Sequence, residues 1–397
     1  MIKIGLFGAM DRYNYGDLLF SIILEKWLRE QNSKVSFNYY GMIESDLSAY
    51  GAVKTKSIEK AFTDKNDVLI IVGGEVLTAK WTSTYLYLLE SNTKIFINRV
   101  INKILNKELA NKLARRKLRG QTNFPYIIPK SKLENTKIIY NTVGGADFSF
   151  FNVEKKNILK EEISQSDYCS VRDPLTKKNL EQIGVSSVFM YPDSAIIMSK
   201  FFWKEVLEKK INDEAREIVR QYSQGYICFQ VGRYLGKNYE DVISRELIKI
   251  YQEKNLNIVL LPIGRAAFHE DHIILNKIKN IIGEKANVIL AKENGIYETM
   301  YLISQAQIFV GTSLHGNITA LSYGIPCVGL DKRVLKIGEF MKQFSINEQL
   351  YSVDYKDISE SIKYSLDIPR EKLKENAGKL IELAYENFEN IYKQIIL

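Results

Sequence analysis

Short runs of continuous apolar residues, most of them ending in glycine, alternate along this chain with longer stretches of mixed polarity. In the first half the runs predict strands at Lys3–Phe7, Asp67–Val72, Lys137–Val143, Tyr168–Val171 and Val188–Met190. In the second half they predict strands at Tyr226–Val231, Asn257–Pro262, Val288–Ala291, Gln307–Val310 and Pro326–Leu330. Unbroken Val/Leu/Ile runs are what a strand buried on both faces requires. Leu18–Leu28 is apolar-rich and predicts a helix starting near Asp17. After Tyr168–Val171 comes Arg172-Asp173-Pro174, where Asp173 can cap a helix and Pro174 suits its first position. Alternation of this kind implies parallel sheets covered by helices, an α/β protein.

The polar, helix-like stretch Ser199–Gln224 separates the two halves. The expected organisation is an N-terminal α/β domain over 1–198, a C-terminal α/β domain over 199–375, and a helix over 376–397 that packs back on the first. Two such domains facing each other would form a cleft. Ligands of open parallel sheets bind at the carboxyl ends of strands, and nearly every glycine-rich motif here sits at one.

Composition narrows the class. At 397 residues, 46% hydrophobic and 26% charged, the chain is an ordinary globular protein too long for one typical domain. No apolar run approaches the length of a membrane-spanning helix. Cys169, Cys228 and Cys327 lie far apart in or beside apolar stretches, so buried thiols are expected and structural zinc is not. The opening residues lack a basic region followed by a long apolar core, and a cytoplasmic protein is expected.

The net charge of +8 is local. Between Arg99 and Lys132 ten Lys/Arg stand against the single acid Glu108. Ile97, Ile101, Leu105, Leu109 and Leu113 recur at i, i+4 within this stretch, predicting a basic amphipathic insertion over about 95–132. Such a helix can lie on an anionic membrane, with Arg115, Arg116, Lys117 and Arg119 as contacts, or it can pack its stripe on its own domain. Few aromatics and no known module argue against nucleic acid.

Four constellations could carry chemistry. In the segment from Gly311 to Pro326 a strand runs into a turn and a helix begins near Gly316. Backbone amides there suit a phosphate or carboxylate, and His315 at the turn can move a proton near neutral pH. The alternative for His315 is a capping or core histidine. The other histidines, His269 and His272, fall in a polar helix and look exposed. Arg172, Arg233 and Arg265 stand at strand ends, where guanidinium forks match a multiply charged anion or pair with neighbouring acids. The loop from Gly8 to Asp17 contains Asn14, Tyr15 and Gly16 before the capping Asp17. Finally, Gly73-Gly74-Glu75 follows a buried strand, where glycine admits a ligand closely and Glu75 could bind sugar hydroxyls or act as a base, or the three simply make a turn. No dinucleotide fingerprint, Walker A loop or nucleophile elbow is present, and no metal-ligand pattern stands out.

Taken in order, Asn14-Tyr15-Gly16-Asp17, Gly73-Gly74-Glu75, Ser170-Val171-Arg172-Asp173, Pro192-Asp193-Ser194-Ala195 and Ser313-Leu314-His315-Gly316 followed by Gly324-Ile325-Pro326 resemble the polysaccharide pyruvyl transferase family. The resemblance covers about residues 4–335. It implies two Rossmann-like domains in a glycosyltransferase B-like arrangement, with the active site between an acceptor-binding N-terminal and a donor-binding C-terminal domain. It implies phosphoenolpyruvate as donor and a cyclic pyruvate ketal on a sugar of a cell-surface glycan or its lipid-linked precursor, such as an undecaprenyl-diphosphate oligosaccharide. No cofactor or metal is implied. His315 takes the place of the general acid, and Asp17, Glu75 and Asp193 are candidates for the base or for orienting hydroxyls. Arg172, Arg233, Arg265, Gly311, Thr312, Ser313, Gly316 and Asn317 would surround the donor; Asn14, Tyr15, Gly16, Gly73, Gly74 and Asp193 would face the acceptor. Many members carry arginine where this chain has Ser313, so here that anion contact must come from elsewhere, with Arg233 or Arg172 as candidates. The enzyme would sit peripherally on the inner face of the cell membrane. The competing readings are a glycosyltransferase using a nucleotide sugar and a non-catalytic glycan- or lipid-binding protein of the same fold.

Overall fold

The computed structural model describes residues 1–89, 106–133, 135–145, 147–266 and 269–397. The chain divides into two compact units. The first comprises Met1–Tyr13, Asp17–Ser194 and Tyr385–Leu397; the second comprises Asn14–Gly16 and Ala195–Ala384. Ser199–Gln224 lies in the second unit.

The first unit is built on β1 (Ile2–Phe7), β2 (Val35–Gly41), β3 (Ser45–Asp46), β4 (Lys54–Ser57), β5 (Val68–Ile71), β6 (Lys137–Val143), β7 (Tyr168–Val171) and β8 (Phe189–Met190). Their order is β3-β4-β2-β1-β5-β6-β7-β8, parallel except for the β3–β4 pair. Strand β5 is buried along its whole length, as its unbroken apolar sequence requires; β7 is buried as well, with its Ser170 hydroxyl donating to the Tyr140 carbonyl of β6. The order reverses between β1 and β5, so the unit's ligand crevice is expected at the carboxyl ends of these two strands. Asp173 caps the Pro174–Gln182 helix through a bond from the Thr176 amide, with Pro174 in the first turn. Residues Tyr385–Leu397, the end of the Arg370–Ile396 helix, pack on this sheet. There the buried Asn387 bonds Asn141 of β6 and Tyr168 of β7 at 2.7 and 2.9 Å, and Phe388 meets Trp27.

The second unit contains β9 (Tyr226–Gln230), β10 (Asn257–Leu260), β11 (Val288–Leu290), β12 (Ile308–Gly311), β13 (Cys327–Leu330) and β14 (Leu350–Val353). All pair in parallel in the order β11-β10-β9-β12-β13-β14, with the reversal between β9 and β12. Ile227, Phe229, Ile258, Leu260, Ile308 and Val310 fill one face of this sheet. These are the two parallel-sheet α/β domains that the sequence pattern leads one to expect, Rossmann-like as the family resemblance implies.

The basic segment differs from expectation. Ile97, Ile101 and Leu105, like Arg99 and Lys103, lie outside the described residues. From Lys107 to Lys117 the chain is helical, capped by Asn106. Its inward face is Ala110, Ala114 and the following Leu118, whereas Leu109 and Leu113 of the predicted stripe are 42% and 38% exposed. Small side chains let this helix approach the Trp81–Tyr87 helix closely, and that packing, not the leucine stripe, sets its rotation.

Candidate active site

In the second unit the sequence motifs converge at the β9/β12 reversal. β12 ends at Gly311, Ser313 caps the Leu314–Ser322 helix by accepting the Gly316 amide at 3.2 Å, and every residue of that helix is buried. Gly316 is glycine because a Cβ there would lie 2.2 Å from the Phe309 ring, so only glycine lets the helix start sit this deep. His315 is thereby fixed in the first turn, 8% exposed. Against its imidazole lies Gly16: a Cβ on Gly16 would stand 1.8 Å from His315 Nδ1. Asn14, Tyr15 and Gly16 are woven into this unit at three further points. Asn14 forms an isolated bridge with Gly264, the Tyr15 amide donates to the Ile263 carbonyl at 3.3 Å, and the Tyr15 hydroxyl meets Thr319 Oγ1 at 2.8 Å. The two most distant motifs of the sequence thus form one site wall.

Thr312 and Asn317, expected around the donor, brace the turn instead. Thr312 Oγ1 accepts the Gly232 amide at 2.9 Å and meets Gln230 Oε1 at 3.3 Å, tying the ends of β9 and β12 together. Asn317 is fully buried, and its amide donates to the carbonyls of Gly311 and Ser313. Both side chains are buried. Ser313 spends its side chain on the helix cap.

Two of the predicted arginines follow the strands β9 and β10 of the same sheet. Arg233, after β9, pairs with Glu270 at 2.6 Å and keeps 37% of its side chain exposed. Arg265, after β10, donates to Asn294 Oδ1 at 2.6 Å and to the Lys292 carbonyl, while its buried Nε has no partner among the described residues. Both act on the exposed His272, whose pKa is lowered first by desolvation and then by Arg265 and Arg233, against Glu270. His272 lies in the first turn of the Asp271–Ile282 helix; His269 precedes that helix and packs on Gly264, so it is only half-exposed.

A residue the sequence reading missed holds this region together. Asp271 is buried, and one carboxylate oxygen accepts the amides of Ile263 and Gly264 and the side chain of Gln230 at 3.1, 3.0 and 2.9 Å. Burial pushes its pKa up to about 7, with those hydrogen bonds opposing. Its position at the head of an amphipathic run was the available signal, but a helix-start aspartate usually caps its own helix.

In the first unit Gly73 and Gly74 follow β5 with φ of +136° and +89°, values that side chains seldom adopt. Gly74 packs against Asp17, and Gly73 against Phe20. Here the structure corrects the reading of Arg172. Instead of a guanidinium open to a donor, Arg172 is buried between Asp193 and Glu75, each 3.0 Å away. Burial acts against its charge, but Asp193, Glu75 and Asp173 outweigh it and hold its pKa above the ordinary value. Gly144 makes room for this triad, since a Cβ there would lie 2.5 Å from Glu75 Oε2 and 2.9 Å from Arg172 Nε. Asp193 is fully buried, so it too serves the triad; Glu75 remains one-third exposed. Arg172 also belongs to a different unit from Arg233 and Arg265.

The sequence reading also passed over Asp11 and Arg12. Asp11 is buried and accepts the amides of Met42 and Ile43, and its pKa is raised by desolvation. Arg12 reaches Tyr126 Oη at 3.2 Å and Asp11 at 3.4 Å. Among the described residues no group of three or more His, Cys, Asp or Glu is placed to hold a metal, and no helix is long and apolar enough to cross a membrane. Of the predicted membrane contacts, Arg116 is exposed, Arg115 bonds the Gly120 carbonyl, Lys117 bonds Tyr85, and Arg119 lies 3.6 Å from Glu59.

Solved structures share this architecture at low identity. UDP-GlcNAc 2-epimerase from Neisseria meningitidis bound to UDP-GlcNAc aligns over 100% of both chains, with a TM-score of 0.58 and 13% identity. The S. aureus MnaA–UDP co-structure aligns over 100% of this chain and 96% of its own, at 0.60 and 12%. Anabaena Alr3699/HepE in complex with UDP-glucose aligns over 100% and 98%, at 0.56 and 8%. These likenesses establish the fold, a glycosyltransferase B-like pair of Rossmann domains. No match is found among curated proteins. The family model for polysaccharide pyruvyl transferase matches residues 14–331, a span that runs from the tripeptide beside His315 to the end of β13. The chain belongs to the polysaccharide pyruvyl transferase family.

Proposed function

We propose that this enzyme moves the enolpyruvyl group of phosphoenolpyruvate to a sugar of a cell-surface glycan or its lipid-linked precursor, closing a cyclic pyruvate ketal and releasing phosphate. The observation that carries this reading is the seating of Gly16 on the His315 imidazole at the strand-order reversal, with Arg233 and Arg265 on the same unit. A dianionic phosphate and a carboxylate need several cationic donors, and with Ser313 spent on capping these fall to the two arginines. His315 is assigned to protonate the methylene carbon of the donor. The resulting C2 cation is attacked by one sugar hydroxyl. The C2–O bond to phosphate then breaks, and a second hydroxyl attacks C2 to close the ring. One hydroxyl proton restores His315 and the other leaves with phosphate. Glu75, held in place by Arg172 and partly exposed, is the favoured carboxylate to orient the acceptor, with Asp17 packed against the preceding Gly74. The exposed basic helix at Lys107–Lys117 supports peripheral attachment to an anionic membrane surface.

Calorimetric titration with phosphoenolpyruvate, UDP and GDP tests this. Saturable phosphoenolpyruvate binding, weakened at least tenfold by Arg233→Ala (a charge-assisted contact is worth roughly 1.5–3 kcal/mol), supports it. Binding of a nucleoside diphosphate alone refutes it.

A further inference from the structure

The first unit contains a cavity of about 380 Å³ that no part of the proposed reaction uses. Its volume is within the ordinary range for small-molecule sites, roughly 300–1,000 Å³. Its wall is apolar and aromatic, with Trp81, Leu86, Phe124, Phe150 and Phe151 on it. The ring of Phe151 meets those of Phe150 and Phe124 at centroid distances of 4.8 and 5.5 Å. The indole N–H of Trp81 is satisfied by the Asn123 carbonyl, so the ring can line an apolar space without an unpaired donor.

The rim has a different chemistry. Lys80, Lys107 and Lys155 line it, with Glu108 as the carboxylate among them. The Lys80 ammonium sits 3.5 Å from the Phe150 ring centroid. Its pKa is lowered first by desolvation and then by Lys107 and Lys155, against Asp147. Large apolar side chains here face solvent: Phe150 on the cavity, and Leu109 and Leu113 on the helix that supplies Lys107. Exposed apolar residues among lysines suit a surface that meets lipid.

We propose that this cavity binds a lipid carrying a phosphate head group, with the chain against the aromatic wall and the phosphate among Lys80, Lys107 and Lys155. An inorganic phosphate would leave the apolar wall wet, and an uncharged lipid would leave the three lysines of the lining without an anion. The amphiphile meets both. The proposal rests on the lipid-linked acceptor of the proposed function for its ligand class, and its failure is distinguishable from failure of the donor reading because His315, Arg233 and Arg265 belong to the other unit.

The test uses the full chain and farnesyl phosphate as probe, followed by calorimetry and by the emission of Trp81, with Trp81→Phe identifying its share of the signal. Farnesol and inorganic phosphate are the control ligands. Lys80→Ala/Lys107→Ala/Lys155→Ala is the variant; its thermal unfolding is recorded, and phosphoenolpyruvate is titrated into the same samples. Expected are saturable farnesyl phosphate binding that perturbs Trp81, at least about tenfold weaker binding of farnesol, none of phosphate, and about tenfold weaker farnesyl phosphate binding to the folded variant. Farnesol binding equally well, phosphate alone binding as tightly, no farnesyl phosphate binding, or a folded triple variant of unchanged affinity would each overturn the proposal. The phosphoenolpyruvate titration reports separately on the donor site.

Discussion

Replacing Gly16 by alanine tests the closest contact in the candidate site without requiring knowledge of the acceptor. The new Cβ would lie 1.8 Å from His315 Nδ1 and 2.1 Å from Cγ, where ordinary van der Waals contact begins near 3.4 Å. Ring and backbone must therefore separate by about 1.6 Å. The ring cannot retreat with its helix, because Gly316 is already pressed on Phe309. The tripeptide cannot retreat without straining the Tyr15–Thr319 and Asn14–Gly264 contacts. Overpacking of this kind costs about 1–3 kcal/mol. Gly16 itself lies within a helix, at a φ that alanine tolerates, so without the clash the substitution would stabilise by up to about 1 kcal/mol. The sign should therefore depend on His315. Measured by chemical denaturation, Gly16→Ala should destabilise the wild-type background and be neutral or stabilising in a His315→Ala background. Equal destabilisation in both would refute the packing on which the site is built. If His315 is the acid, displacing it by this distance should also lower turnover about a hundredfold.

Asp271 gives a pH signature. Its folded pKa of about 7 stands above the ordinary 3.8, so the folded state holds the proton more tightly, and its contribution to stability declines as pH rises from about 4 to 7. That decline amounts to about 4 kcal/mol, and Asp271→Asn should flatten it in urea titrations between pH 4.5 and 8; an unchanged slope would count against it. Arg172→Met leaves Asp193 and Glu75 without their cation and should cost about 3–5 kcal/mol by chemical denaturation; a variant of native stability with lost phosphoenolpyruvate affinity would return Arg172 to the donor site. Burial pushes the thiols of Cys169 and Cys327 up to about 12 and that of Cys228 higher, so none should react with a thiol reagent at pH 8 until the protein unfolds.

The buried strands were legible because continuous apolar sequence has one economical placement, the middle of a covered parallel sheet. β6 and β7 occur at the expected residues. β2, β4 and β14 were not anticipated, because they lie toward the sheet edges and carry polar residues such as Ser36, Asn38, Lys54 and Lys56, which read as loop. The motif turns were legible as well, since glycine, proline and capping residues act locally. Charge pairing was not. Arg172 meets a carboxylate 21 residues away and another 97 away, a convergence that no local pattern announces. Asp271 was missed for the same reason: its partners lie at the end of β9 and just after β10, not in its own helix.

The division of the chain carries an evolutionary consequence. Asn14–Gly16 belongs with residues 195–384 although the chain on either side of it belongs to the other unit. A gene recombination that replaced residues 195–384 with the equivalent stretch of a relative would bring a new histidine turn but leave the old tripeptide in place. Such a chimera would inherit its imidazole and the backbone that confines it from different parents. The position of Gly16 must then be exchanged together with that of His315, and changes at the two should be found in step wherever the family has diversified.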